Sequence, residues 1–153
     1  MAAALNLRSA VSRVVAVVRP AEDDASRELV ARLREAGCEL VVNPDADAGM
    51  GTSLSCGVRA SQDAAGWIIA LADMPAIAPR TIALVAAALA GGALTAAPYL
   101  GAQRGHPVGF AAALRDELLA LADDAGARDV LRTHPPQRLD VDDAGILYDV
   151  DHA

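Results

Sequence analysis

Lysine is absent from this 153-residue sequence; all 13 basic positions are arginine. That excludes a phosphate-cradling lysine of the P-loop kind and leaves phosphate contacts to arginine or backbone N–H groups. Aromatic residues make up only 3% (one Trp, one Phe, two Tyr), so the core, within a hydrophobic content of 54%, has to come from Ala, Val, Leu and Ile. The two cysteines, Cys38 and Cys56, offer neither a disulfide framework nor a CxxC metal pattern. Cys38, at the head of a predicted strand, reads as a small buried hydrophobe. Positive charge is in deficit: the net charge is −7, which leaves no basic field for nucleic acid. No apolar run approaches the roughly 20 residues of a membrane span. The first residues lack the basic, apolar and cleavage regions of a signal peptide. These absences predict one soluble, cytoplasmic domain with no membrane or nucleic-acid partner.

What is present alternates. Residues 2–12 and 22–36 read as helices, the second with Leu29, Val30, Leu33 and Ala36 at helical spacing and Gly37 at its end. Residues 13–18 and 38–42 read as strands, stopped by Arg19-Pro20 and Asn43-Pro44. A helix is predicted over 54–61 with Ser53 as cap, a central strand over 67–72, and a helix over 79–90 opened by Pro79 and closed by Gly91-Gly92. A strand over 93–98, helices over 110–122 and 127–133, and strands over 138–141 and 146–150 complete the chain. Alternation of this kind argues for a three-layer α/β/α, mostly parallel sheet. The opening is unusual, because a doubly wound sheet ordinarily begins with a strand and a phosphate-binding loop.

The most informative stretch is residues 66–75, GWIIALADMP. Six apolar residues without a break read as a strand buried on both faces. Asp73 then falls just past its carboxyl end, where open α/β sheets bind ligands, and Pro75 turns the chain away. A carboxylate there suits Mg²⁺ carrying a phosphate. The alternative is a strand-ending turn with a solvated acid.

Three further loops hold chemistry-bearing residues. Residues 45–53, DADAGMGTS, follow a strand and lead into a helix N-terminus; Gly49 and Gly51 permit close backbone approach, and Thr52 and Ser53 add hydroxyls. An ordinary helix start is the competing reading. Residues 104–109, RGHPVG, combine Arg104, Gly105 and His106 in a loop where the imidazole is free to donate or accept. Residues 140–151, DVDDAGILYDVD, are acid-dense; Asp142 and Asp143 border a turn with Gly145, while Asp149 and Asp151 on a strand share one face. Asp123 or Asp124 is placed to cap the following helix, and His134 has no evident partner.

In order, GMGTSL, LADMP, RGHPVGF, DDAGARDVL and DDAGILYDVD resemble the molybdenum cofactor cytidylyltransferases and their MobA-like nucleotidyltransferase relatives, over nearly the whole chain from about Arg13. The resemblance implies a Rossmann-like fold of the glycosyltransferase-A type and transfer of a nucleotidyl group from CTP, or another NTP, to the phosphate of molybdopterin, releasing pyrophosphate. By that likeness Asp73 and Asp151, or Asp149, hold the catalytic Mg²⁺. Asn43, Gly49, Gly51, Thr52 and Ser53 border the nucleotide, and Arg104, Gly105 and His106 line the acceptor pocket. The family pattern opens with a strand, a glycine-rich LAAGxGxRxG loop and a lysine; this chain starts at the helix that would follow them. The loss of that central strand predicts a slot lined by unpaired backbone. Alternatives are a MobA-like domain that binds nucleotide or molybdopterin for a partner molybdoenzyme or chaperone without its own catalysis, and a relative of the nicotine-derived pigment reductases. A CheY-like receiver is disfavoured, because Arg19-Pro20 follows the first strand where an acid pair is required.

Overall fold

Short apolar runs bounded by Pro, Gly and Asn form most of the strands, while two edge segments, residues 103–104 and 137–140, are polar and mostly exposed. The computed structural model describes residues 1–150. Asp151, expected as a metal ligand, lies outside the described residues. The elements run α1 (Ala2–Ala10), β1 (Val15–Val18), α2 (Asp24–Glu35), β2 (Glu39–Val42), α3 (Met50–Arg59), β3 (Gly66–Ile69) and α4 (Pro79–Ala90). They continue with β4 (Thr95–Leu100), β5 (Gln103–Arg104), β6 (Val108–Ala111), α5 (Arg115–Leu119), α6 (Arg128–Thr133) and β7 (Gln137–Asp140). No helix among them is long and apolar enough to cross a membrane.

The strands fall into two ladders. β1 and β2 pair in parallel, Val15 opposite Glu39. The second sheet runs β3-β6-β4-β5, with β7 parallel to β4 on its other side. No described strand hydrogen-bonds to both β1 and β3. Two links tie the ladders. Leu7 and Val11, at the end of α1, pack both on the Val14–Leu33–Cys38 cluster and on Met74, Ile77 and Ile82. Arg13 pairs with Glu39 and, at 3.0 Å, with Asp63 in the turn before β3.

The α/β class expected from the alternation is what the chain forms, but the larger sheet is mixed rather than mostly parallel. β6 is antiparallel to both β3 and β4, and β5 is antiparallel to β4. This segment was expected to open a helix over 110–122. Instead Trp67 lies opposite Phe110, and the helix is reduced to a 3₁₀ turn over Ala112–Leu114 and the short α5. The reason is burial on two faces. Phe110 (1% exposed) enters the main core with Leu54, Val58 and Leu118, while Gly109 lies under α4, where a Cβ would meet Val85 at 2.7 Å. A strand satisfies both neighbours because successive residues point to opposite faces. The strand expected over 146–150 is likewise a 3₁₀ turn over Ala144–Leu147, so Asp149 is not on a strand.

Candidate active site

β3 stops at Ile69, three residues short of the expected end. Its partner β6 begins at Val108, directly after Pro107, which has no N–H to extend the ladder. The chain then turns, with the Met74 N–H donating to the Leu71 carbonyl at 3.2 Å. Met74 and Ile77 are buried together with Ile82, and Asn6 Nδ2 donates to the Pro75 carbonyl at 2.9 Å. Asp73 rides on this anchored turn, half-buried. Its carbonyl accepts from the Val150 N–H at 2.9 Å, which sets the backbone of the acidic segment, including half-buried Asp149, against the Asp73 turn.

The RGH loop meets the same segment. The Gly105 N–H donates to the Pro98 carbonyl (2.9 Å) and the His106 N–H to the Ile146 carbonyl (3.0 Å). Gly105 was expected to line an acceptor pocket; its α-carbon instead faces Ile146, where a Cβ would stand 2.4 Å from the carbonyl oxygen. Arg104 is exposed on β5. Burial pushes the His106 imidazole below its ordinary pKa, the nearby Arg104 guanidinium pushes further, and the Asp73 carboxylate opposes both. His106 therefore lies within reach of both charges, and its neutral imidazole is favoured.

The nucleotide-side residues gather elsewhere, at the carboxyl ends of β1 and β2. Asn43 (3% exposed) donates through Nδ2 to Thr52 Oγ1 at 3.0 Å and Ser53 Oγ at 2.9 Å, and its Oδ1 accepts from the Asp45 N–H at 3.0 Å. Ser53 does not cap the helix, because α3 starts earlier, with Gly49 as its N-cap. The glycines serve the chain's own packing. A Cβ on Gly49 would meet Asp124 N at 2.5 Å, one on Gly51 would meet Asp123 O at 2.4 Å, and the Gly51 N–H donates to that oxygen at 2.7 Å. Beside them lies a cavity of about 520 Å³ lined by Val17, Val18, Arg19, Asp47, Gly49 and Ser53. Arg19 and Asp47, both in this lining, form an ion pair. Asp123 was expected as a helix cap; its Oδ1 accepts from the Ala125 N–H (3.0 Å) inside the corner, and α6 begins after Ala127 with no side-chain cap. His134 does have a partner, Glu117, at 3.0 Å from its Nε2.

The donor set fits a hard divalent cation. Mg²⁺ and Mn²⁺ take oxygen ligands, and Mg²⁺ is usually held by one or two carboxylates plus substrate phosphates and water. Asp73 and Asp149 supply carboxylates on neighbouring backbone, and among the described residues no group of three His, Cys, Asp or Glu side chains forms an all-protein cage.

Sequence reasoning placed Asp143 (7% exposed) at the turn with Gly145, where it is found, but missed its contact with the start of α4. Its Oδ2 accepts from the Ala78 N–H (2.9 Å) and Thr81 Oγ1 (2.6 Å), and its Oδ1 from the Gly145 N–H (3.0 Å). The signal was negative: α4 has Ala78 at its N-cap, which offers no side-chain oxygen, so an acceptor had to come from elsewhere.

Comparison with known proteins agrees with this architecture. The model of the MobA-like NTP transferase domain matches residues 1–139, and the chain belongs to that family. The nicotine blue oxidoreductase of Paenarthrobacter nicotinovorans is 31% identical over 121 residues, which cover 73% of this chain and 59% of that protein. The chain thus spans a little under two thirds of that relative's length. Among solved structures, Rv0371c from Mycobacterium tuberculosis H37Rv superposes with a TM-score of 0.77 at 25% identity, covering 98% of this chain and 76% of the other. Its manganese complex gives a TM-score of 0.72 at 22% identity, covering 92% and 74%.

Proposed function

We propose that this chain carries the metal-binding and acceptor-binding part of a nucleotidyltransferase site, and that the reaction moves CMP from CTP to the phosphate of molybdopterin. An oxygen of the acceptor phosphate attacks the α-phosphorus of CTP. The bond from that phosphorus to the β-phosphate bridging oxygen breaks, and pyrophosphate leaves. Asp73, with Asp149 or Asp151, holds Mg²⁺, which when bound neutralises charge on the triphosphate. Arg104 and neutral His106 contact the acceptor, the first as a charge partner for phosphate and the second as a hydrogen-bonding group. Ser53 accepts from Asn43 and keeps its hydrogen to donate into the cavity beside β1, which receives the nucleoside. The observation that carries the reading is the contact of Val150 with Asp73, which brings two acid-bearing segments together at the end of β3.

A second reading keeps the site and removes the catalysis: a domain that binds nucleotide or molybdopterin for a molybdoenzyme or chaperone. The filling of both GMG glycine faces by the Asp123-Asp124 corner favours it. Incubation with α-labelled CTP, Mg²⁺ and molybdopterin separates the readings. Labelled product with pyrophosphate release supports the transferase, binding without turnover supports the second reading, and NAD(P)H binding in place of CTP would favour an oxidoreductase.

A further inference from the structure

The segment from Asp142 to Val150 is laid across the loops of the proposed site and fastened at several points. Asp143 takes the N-terminal Ala78 N–H of α4 and the Thr81 hydroxyl, 65 and 62 residues away. Arg80 Nη2 donates to the Asp142 carbonyl at 3.3 Å. Gly145 presses on the turn behind Asp73 so closely that a Cβ would lie 2.0 Å from the Ala76 carbonyl oxygen. Further along, Ile146 accepts from His106 and Val150 donates to Asp73.

The use of a carboxylate here is informative. A Ser, Thr or Asp at position 78 would cap α4 locally. A carboxylate brought from 65 residues away must be desolvated, and three hydrogen bonds at 2.6–3.0 Å offset that cost. What the distant cap adds over a local one is a fixed distance between two segments. Those segments carry Asp73 on one side and Asp149 on the other.

We propose that Asp143 is a positioning residue: by clamping residues 142–150 onto the start of α4 through Thr81 and Ala78, it sets the spacing of the Asp73 and Asp149 segments for one divalent cation. The inference rests on the metal reading given under Proposed function. Outer-shell partners of metal ligands typically contribute 10- to 100-fold in metal affinity. Asp143 is not offered as a ligand, since all three of its contacts point into the protein.

The test uses Mn²⁺ alone, titrated into the 153-residue protein and followed by water-proton relaxation, with thermal melting in parallel. Asp73→Asn sets the baseline without the site. Asp143→Asn and the isosteric Thr81→Val are expected to weaken Mn²⁺ binding by about 10-fold or more. Thr81→Ser, which restores the hydroxyl but leaves a methyl-sized gap, is expected to bind within about twofold of wild type, even where its melting temperature falls below that of Thr81→Val. A purely structural role predicts the reverse order, with affinity following melting temperature. Wild-type Mn²⁺ affinity in both Thr81→Val and Asp143→Asn, with Asp73→Asn defective, overturns the positioning role and leaves the metal reading intact. Wild type binding no better than Asp73→Asn overturns both.

Discussion

The Val150 N–H donates to the Asp73 carbonyl across 2.9 Å, joining the turn after β3 to the acidic segment near the other end of the chain. This bond ties together the two segments that carry Asp73 and Asp149, the pair proposed to hold the cation. Asp73→Asn keeps the shape of that turn and removes the charge. Mg²⁺ with CTP is expected to raise the melting temperature of wild type and leave that of Asp73→Asn unchanged, while the two apo proteins melt within a few degrees of each other. A full ligand-induced rise in the variant would remove Asp73 from the metal site.

His106 sits between Ile146, which takes its backbone N–H, and the exposed Arg104. His106→Ala is expected to weaken binding of the phosphate-bearing acceptor by roughly 10- to 100-fold, the range for one lost hydrogen bond to a charged group, and to leave CTP affinity unchanged. Equal losses for both ligands in paired titrations would assign His106 to the fold instead.

The imidazole also gives a pH signature. Its folded-state pKa lies below the ordinary value near 6.5, mainly through burial. The unfolded chain therefore binds the proton more readily, and stability falls as pH drops from about 6.5 through the lowered folded value. Above that window the group contributes nothing to the pH dependence. Urea midpoints measured from pH 7.5 down to 5 are expected to decline, and His106→Gln is expected to flatten the decline. An unchanged slope in the variant would place the proton uptake at another residue.

Gly51 donates to Asp123 O and has no room for a side chain against it. Gly51→Ala places a methyl where only 2.4 Å is available against backbone, and is expected to cost about 1–3 kcal/mol, or several degrees in melting temperature. The same change at the exposed Gly92, which has no neighbour within 4 Å but a φ of +105°, tests backbone strain without collision. If Gly51→Ala melts with wild type, the Asp123-Asp124 corner is not seated as described.

Local signals carried the reading of the fold as far as local physics extends. Residues 79–90 form a helix at both of its expected ends, because Pro79 and the Gly91-Gly92 pair punctuate it within its own sequence. Residues 108–111 were misread, the first two as loop and Phe110 and Ala111 as the start of the helical pattern FAAALRDELLALA. Only the opposing demands of Trp67 on one side and α4 on the other make them a strand. At the site, the Asp73 turn was legible from one apolar run and a proline. The roles of Asp143, Gly49 and Gly51 were not, since each depends on a partner 62 or more residues away. The two glycines look like a ligand loop in sequence because close approach needs glycine whether the approaching group is a phosphate or the chain itself.

The central claim is that the described chain holds a cation-dependent nucleotide site built on Asp73. Calorimetric titration of the 153-residue protein with CTP, with and without Mg²⁺, tests it most directly. The account predicts binding in the presence of Mg²⁺ and its loss on adding a chelator. A folded sample that binds CTP equally well without the metal, or fails to bind it at all, would contradict the claim.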